Sequence, residues 1–164
     1  MRVLLIYENH TPYSSSSATV GDSDITLNDI GIFVGLGSSL ELNNVQVKNN
    51  TGTGIGLMQN SSAVILGDSN ITHNGIHGIF IESHSFVQVY EVTINNNGLH
   101  PPDVDHSEIT LRRDAGLVLD GGYVNGGSGD AIVCDDSESS YLRNDPARVD
   151  GVVWNCTGFS PDSE

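Results

Sequence analysis

Residues 41–60 have the sequence ELNNVQVKNNTGTGIGLMQN, and the next two stretches, AVILGDSNITHNGIHGIFIES (63–83) and FVQVYEVTINNNG (86–98), repeat its pattern. Val47, Ile71 and Ile94 occupy equivalent positions, 24 and 23 residues apart. A repeat this short cannot bury an apolar face alone, so each copy must stack on its neighbours. The pattern therefore predicts a protein built from stacked copies of one small unit.

Apolar and polar residues alternate inside each copy, as at Val45 and Val47 or at Ile79 and Ile81. A period of two is typical of β-strands that turn one side into a core. Glycine and asparagine separate these strands, where the chain must turn. Strands that turn the same way in every copy form a coil, so the predicted fold is all-β, a parallel solenoid of about five to seven short rungs.

The length of 164 residues suits one domain with a single core. A further copy precedes the three above, because Ile25 lies 22 residues before Val47. Beyond Gly98 the pattern is broken by a Pro-Pro segment and a run of charged residues. The expected organisation is one domain (1–164) with an N-terminal strand or cap (1–15), regular rungs (16–98), an inserted loop (99–115), less regular C-terminal rungs (116–158) and a tail (159–164).

NNTGTGIGLMQNSS (49–62) and THNGIHGIFIESHS (72–85) resemble the repeats of right-handed parallel β-helix proteins, both the pectin-lyase-like superfamily and the NosD-type periplasmic repeats. The resemblance implies a right-handed coil. It also favours an extracellular or periplasmic location, although RVLLIY (2–7) lacks the cleavage site of a signal peptide. The superfamily includes lyases, hydrolases, epimerases and phage tailspikes, so the resemblance implies a fold rather than one activity.

The charge of the chain narrows the class of partner. The formal net charge is −15 and the sequence pI is about 4.4. Nucleic acids and anionic membrane surfaces are bound mainly through Lys and Arg, so neither is expected as a partner. An acidic chain is expected to bind a cation or a neutral ligand, such as a polysaccharide, more readily than a polyanion.

Cys134 and Cys156 are the only cysteines, and they lie 22 residues apart. This separation is close to one repeat, which places them on adjacent layers about 4.8 Å apart. Two buried thiols stacked on one another are expected here, and a disulfide is the alternative. A disulfide would indicate an oxidising compartment.

A first candidate site joins the inserted loop to the regular rungs. His77 and His100 are 23 residues apart, so adjacent layers would carry them if the register persists to residue 100. Asp103, Asp105 and His106 follow in the same loop. Such a cluster could bind a divalent metal or exchange protons, and the alternative is a set of solvated turn residues.

A second candidate site is acidic. Paired carboxylates can hydrolyse a glycosidic bond, and carboxylate oxygens can bind Ca²⁺. GDAIVCDD (129–136) faintly resembles the clustered aspartates of pectin-lyase-like hydrolases, but their Gly-His-Gly and Arg-x-Lys motifs are absent. Solvated turn aspartates are again the alternative. The residues concerned are Asp114, Asp120, Asp130, Asp135 and Asp136.

Asn50, Asn74 and Asn97 recur with the same steps as the apolar positions. Each side-chain amide is expected to bond to the next layer, as in other repetitive β-stacks. These asparagines are therefore interpreted as a structural ladder rather than a ligand site.

Three functional hypotheses follow. The first is a non-catalytic β-helix module that binds carbohydrate or has a structural role. The second is a small carbohydrate-active enzyme that uses the aspartates. The third is a tailspike-like protein that forms homo-oligomers through the solenoid ends or a flat face, since solenoid ends present unpaired strand edges.

Overall fold

The structure is a computed structural model that describes residues 4–6, 15–98, 107–135, 140–144 and 148–156. Every strand pairing in it is parallel. The strands are β1 (Leu4–Ile6), β2 (Ser17–Thr26), β3 (Ile32–Val34), β4 (Ser39–Lys48), β5 (Ile55–Leu57), β6 (Ser62–Leu66), β7 (Asn70–Thr72), β8 (His77–Glu82), β9 (Phe86–Tyr90), β10 (Thr93–Asn95), β11 (Ser107–Arg112), β12 (Gly116–Asp120), β13 (Tyr123–Cys134), β14 (Ser140–Asn144) and β15 (Arg148–Trp154).

The strands form three faces that each run the length of the solenoid. Face A stacks 17–21, 39–43, 62–66, 86–90, 116–120 and 140–144. Face B stacks 23–26, 45–48, 70–72, 93–95, 123–125 and 148–150. Face C stacks 4–6, 32–34, 55–57, 77–82, 107–112, 130–134 and 152–154. The six described segments of face A correspond to five turns from the first to the last, which confirms the predicted all-β solenoid.

The predicted register is confirmed on two faces. On face B, Val47 pairs with Ile71, and Ile71 pairs with Ile94. On face C, Ile55 pairs with Ile79. All five side chains are fully buried, so each layer places its apolar residue directly on that of the layer before. This vertical packing gives the short strands the core that none of them could form alone.

An asparagine ladder fills the corner between faces B and C. The Nδ2 group of Asn50 donates to Oδ1 of Asn74 at 2.9 Å, and that of Asn74 donates to Oδ1 of Asn97 at 2.9 Å. Asn28 extends the ladder by one layer, because its backbone N–H donates to Oδ1 of Asn50 at 3.0 Å. The amides also donate to strand carbonyls, such as Asn74 Nδ2 to the oxygen of Val47 at 3.1 Å. Each ladder side chain thus satisfies buried backbone groups that a turn would leave unpaired.

Three glycines stack beside the ladder. A Cβ on Gly54 would lie 2.7 Å from the Nδ2 atom of Asn74, and one on Gly78 would lie 2.7 Å from that of Asn97. A Cβ on Gly31 would collide with the side-chain amide of Asn50 in the same way. Any larger residue would collide with the ladder, which explains the glycine that opens each face C strand in these layers.

Glu108 follows these glycines in the next layer, because Ile109 pairs with Ile79. Its side chain completes the ladder. Nδ2 of Asn97 donates to Oε2 of Glu108 at 2.5 Å, and the backbone N–H of Asn97 donates to Oε1 at 3.1 Å. Glu108 is only 2% exposed. A carboxylate therefore accepts the bonds that another ladder asparagine would have accepted.

The predicted extent of the insertion, 99–115, was too long. Residues 107–112 form β11, which continues face C and pairs with β8. Ile109 and Leu111 keep the inward alternation and are fully buried, so the strand forms despite its charged neighbours. The register places Ser107 beside His77.

The expectation of two free thiols was wrong. Cys134 and Cys156 form a disulfide, with their Cα atoms 5.0 Å apart. The chain returns beside β13 after β15, where Nδ2 of Asn155 donates to the carbonyl of Cys134 at 3.1 Å. Adjacent layers of a solenoid lie within the Cα separation that a disulfide spans, so the stacking that favoured two thiols also permits the bond.

Candidate functional site

His77 begins β8 and is already engaged with its neighbours. Its Nδ1 atom lies 3.1 Å from Oγ1 of Thr110, which lies 2.6 Å from Oγ of Ser107. The imidazole also stacks on Phe80, with ring centroids 5.4 Å apart. His77 is 8% exposed, so this polar chain is largely closed to solvent. The other members of the predicted cluster, His100, Asp103, Asp105 and His106, lie outside the described residues.

The described candidate aspartates fall at three places on the coil, and only Asp114 and Asp135 lie near the same end of face C, on adjacent layers. Asp114 lies at the corner between faces C and A, with its carboxylate 3.1 Å from Nε2 of His84. Asp135 lies beyond face C and pairs with Arg112. Asp120 ends a strand of face A, whereas Asp130 begins the face C part of β13.

Two consequences follow for the acidic site. Asp136 is outside the described residues, and among those that are described no three His, Cys, Asp or Glu side chains form a group able to hold a metal ion. Asp114 lies in the turn before β12 and Asp120 ends that strand, so the length of β12, about 13 Å, lies between them. Hydrolysis by paired carboxylates requires separations of about 5–9.5 Å.

Face A carries a feature that the sequence did not single out, a row of outward side chains on β9, of which Phe86 is exposed and the other two are partly exposed. Val87 and Val89 point inward and are buried. Phe86, Gln88 and Tyr90 therefore point outward from the same strand. Of the aromatic side chains that the structure describes, Phe86 is the most exposed, at 40%.

The layers above and below leave room over this row. Phe86 pairs with Ser62 on one side and with Gly116 on the other, so small residues flank its ring. Gln88 lies between Val64 and Val118. Tyr90 lies beside Asp120, which is thus the one predicted candidate that joins the row. We call Phe86, Gln88 and Tyr90, with these neighbours, the face A platform.

The platform differs from the outer surfaces of faces B and C in its charge pairing. On face B, Arg148 stacks over Tyr123 and donates to Asp150 at 2.7 Å. The hydrogen bond from Arg148 is the main reason that the pKa of Asp150 lies below its ordinary value. On face C, Arg112 lies over Phe80 and pairs with Asp135. Gln88, Tyr90 and Asp120 have no such partner among the described side chains, so their polar groups can meet a ligand.

The order and register of the strands agree with a comparison against family models. Residues 7–145 match the model described as a right-handed β-helix region. The chain belongs to the right-handed β-helix family. This membership assigns the right-handed coil that the sequence resemblance implied. Comparisons with curated proteins and with solved structures gave no significant match.

The family match describes a coil and names no functional residue. The site must therefore be argued from the outer side chains of this chain. Within the described residues, no helix has the length and apolarity needed to cross a membrane. The face A platform is the surface whose composition most directly indicates a ligand.

Proposed function

We infer that this right-handed β-helix is a non-catalytic module that binds a polysaccharide across face A. The observation that carries the proposal is the pair of outward aromatic rings, Phe86 and Tyr90, on either side of Gln88 on one strand. Sugar rings present C–H groups on their faces and hydroxyl groups at their edges. A ligand of this kind needs both apolar rings and hydrogen-bonding groups on one surface.

The platform supplies both kinds of group. The Phe86 ring offers a flat apolar surface, and the Tyr90 ring adds a hydroxyl at its tip. The amide of Gln88 can donate two hydrogen bonds and accept others, which suits adjacent hydroxyls. The carboxylate of Asp120 adds an acceptor beside Tyr90. An isolated aromatic residue would lack this combination.

The shape of face A supports an extended ligand. Its pairings from β4 through β6, β9 and β12 proceed without a register shift. Successive layers are about 4.8 Å apart, so the surface is long, even and open. A polymer that follows the direction of β9 can contact both Phe86 and Tyr90, which are about 13 Å apart along the strand, while the adjacent layers support its flanks.

The placement of the aspartates supports binding rather than hydrolysis. Asp114 lies beside the titratable side chain of His84, and Asp135 lies beside the cationic side chain of Arg112. Asp120 is separated from both by the width of the coil face. The aspartate-based enzyme hypothesis required two carboxylates converging on one groove.

Binding to a panel of soluble polysaccharides, measured by affinity electrophoresis and calorimetry, tests the proposal. Phe86→Ala is expected to weaken the affinity for a bound polysaccharide by about tenfold, as for an aromatic residue central to an interface. Phe33→Ala removes a ring from face C and serves as the matched control, with the melting temperature of each variant confirming that it is folded.

Two results would refute the assignment. One is the absence of binding to every polysaccharide in the panel. The other is an equal loss of affinity in Phe33→Ala and Phe86→Ala, because the ring on face A would then have no special role.

A further inference from the structure

Four asparagines of the described part of the chain begin the tripeptide Asn-x-Ser/Thr, the acceptor motif for asparagine-linked glycan. They are Asn49 (NNT), Asn60 (NSS), Asn70 (NIT) and Asn155 (NCT), and one more motif, at Asn9, lies outside the described residues. A glycan on a folded chain must also extend into solvent from the side-chain nitrogen. The structure separates the four asparagines on this criterion.

Asn49 and Asn60 meet the criterion. Both are exposed, and neither side-chain amide has a hydrogen-bond partner in the part of the chain that the structure describes. Asn49 lies at the corner between faces B and C, and Asn60 lies at the corner between faces C and A. The residues that carry the hydroxyl groups of the two motifs, Thr51 and Ser62, are exposed as well. Each complete motif is therefore open to solvent.

The corner backbone does not itself require asparagine at these two positions. It adopts φ values of 55° at Asn49 and 61° at Asn60, in the left-handed region that asparagine tolerates. The hydrogen bonds between layers place His73 beside Asn49, and place His84 and then Asp114 in the layers after Asn60. These three residues have nearly the same φ, between 57° and 59°. The turn thus accepts other side chains, unlike the buried asparagine ladder.

Asn70 and Asn155 differ, because their amides are already engaged. Nδ2 of Asn70 donates to the carbonyl of Asp68 at 3.3 Å, and Asn70 is only partly exposed on β7. Nδ2 of Asn155 donates to the carbonyl of Cys134 at 3.1 Å, and the middle residue of its motif, Cys156, forms the disulfide. A glycan on either residue would have to extend from a nitrogen that is held against the backbone.

The disulfide between Cys134 and Cys156 is an independent indication of the compartment. Structural disulfides form and persist in oxidising compartments, which secreted chains pass through. Asparagine-linked glycan is likewise attached to the surface of secreted proteins. The disulfide and the acceptor motifs therefore indicate the same route for this chain.

We propose that Asn49 and Asn60 are acceptor sites for asparagine-linked glycan. The donor is an oligosaccharide carried on a lipid diphosphate, and a transferase catalyses the step. The side-chain nitrogen bonds to C1 of the first sugar, the bond between C1 and the diphosphate oxygen breaks, and the nitrogen loses one proton. Because the two asparagines precede and follow β5, their glycans stand at opposite edges of face C.

Peptide mapping by mass spectrometry of the chain isolated from its native source tests the proposal. Enzymatic release of a glycan that converts its asparagine to aspartate marks each occupied site. Asn49 and Asn60 are expected to carry glycan, whereas Asn70 and Asn155 are expected to be unmodified. Ser62→Ala, produced in the same source, is expected to lose the glycan at Asn60 alone. Ser62→Thr is the matched control and is expected to keep it, because threonine preserves the hydroxyl group.

Three results would overturn the assignment. Absence of glycan from either Asn49 or Asn60 removes that site. Equal occupancy of all four described motifs shows that exposure and an unengaged amide do not select the acceptors. A glycan that persists at Asn60 in Ser62→Ala shows that the acceptor motif is not what directs its attachment. None of these results depends on whether face A binds a polysaccharide.

Discussion

Glu108 is a buried carboxylate placed where the ladder has no further asparagine. It accepts hydrogen bonds from the side chain and backbone of Asn97, and the described residues give it no cationic partner. Burial is the main reason that its pKa lies above the ordinary value of 4.5, and the hydrogen bonds from Asn97 oppose that shift. The ladder therefore ends in a group whose charge is disfavoured by its surroundings.

The linkage between this pKa and stability has a definite sign. As pH rises from the ordinary pKa to the raised one, the unfolded chain loses the Glu108 proton before the folded chain does. Below the ordinary pKa, the protonated Glu108 makes its full favourable contribution to the free energy of unfolding. That contribution is lost as pH rises through the pKa that Glu108 has in the folded chain. Glu108→Gln keeps an acceptor for Asn97 and cannot ionise, so its free energy of unfolding should exceed that of the unmodified chain at neutral pH.

Denaturant unfolding at several pH values, from below 4.5 to neutrality, measures this difference. The gap between Glu108→Gln and the unmodified chain is expected to widen with pH and then level off. Glu41→Gln changes an exposed carboxylate on face A and provides the control. A gap that does not change with pH would show that Glu108 ionises equally easily in both states.

A substitution at Asn74 tests whether the asparagine ladder stabilises the fold. Asn74 is fully buried, accepts from Asn50 and donates to Val47 and Asn97. Asn74→Ala leaves these buried groups unpaired and is expected to lower the free energy of unfolding by about 2–4 kcal/mol. Asn95→Ala removes a partly exposed amide from the same corner region and should change it by less than about 0.5 kcal/mol. Similar losses in the two variants, measured by denaturant unfolding, would contradict a structural role for the ladder.

At the scale of strands, the regular part of the fold was predictable because each turn repeats the same alternation. The spacing of Val47, Ile71 and Ile94 in the sequence is enough to predict which of them pair. β11 was missed for a physical reason. The segment 99–106 lengthens the repeat, so that His77 and its partner Ser107 are 30 residues apart instead of 23 or 24. β11 also contains two charged residues, Glu108 and Arg112. A buried carboxylate that completes a ladder cannot be recognised before the ladder is known.

The candidate site was only partly predictable at the same scale. FVQVY (86–90) has the same alternation as the other strands, which indicates Val87 and Val89 as inward but does not distinguish its outward residues from those of any other strand. What the sequence could not show is which residues of the adjacent layers flank Phe86, and therefore that its ring lies between Ser62 and Gly116. His77 was noticed for its chemistry, but its hydrogen bond to Thr110 depends on the register of β11.

The disulfide makes a prediction about the last turn. Cys134 and Cys156 close a segment of 22 residues that includes β14 and β15. Reduction should lower the free energy of unfolding by about 3 kcal/mol, since a loop of this length loses much of its constraint in the unfolded chain. Unfolding with and without reductant measures the effect, and a Cys134→Ser/Cys156→Ser double variant should be insensitive to reductant. An unmodified chain with the same stability in both conditions would argue against the bond.

At the scale of the whole molecule, the proposed function assigns support to the interior of the coil and recognition to its outer face A. The ladder and the stacked apolar columns fix the spacing of the layers, and that spacing fixes the distances between outward side chains. Face A can therefore present its rings and carboxylates in fixed positions before a ligand arrives. A rigid surface loses little conformational freedom on binding, which suits a module that holds an extended polymer.

The central claim, that face A binds carbohydrate, is tested most directly by amide chemical-shift mapping. The ¹⁵N-labelled chain is titrated in turn with a β-1,4-linked glucosamine hexamer and with its N-acetylated counterpart. The account predicts that the largest shifts, with at least one of the two, fall on β6, β9 and β12 around Phe86, Gln88 and Tyr90. Shifts centred on β8 and β11 of face C, or no shifts with either hexamer, would contradict it.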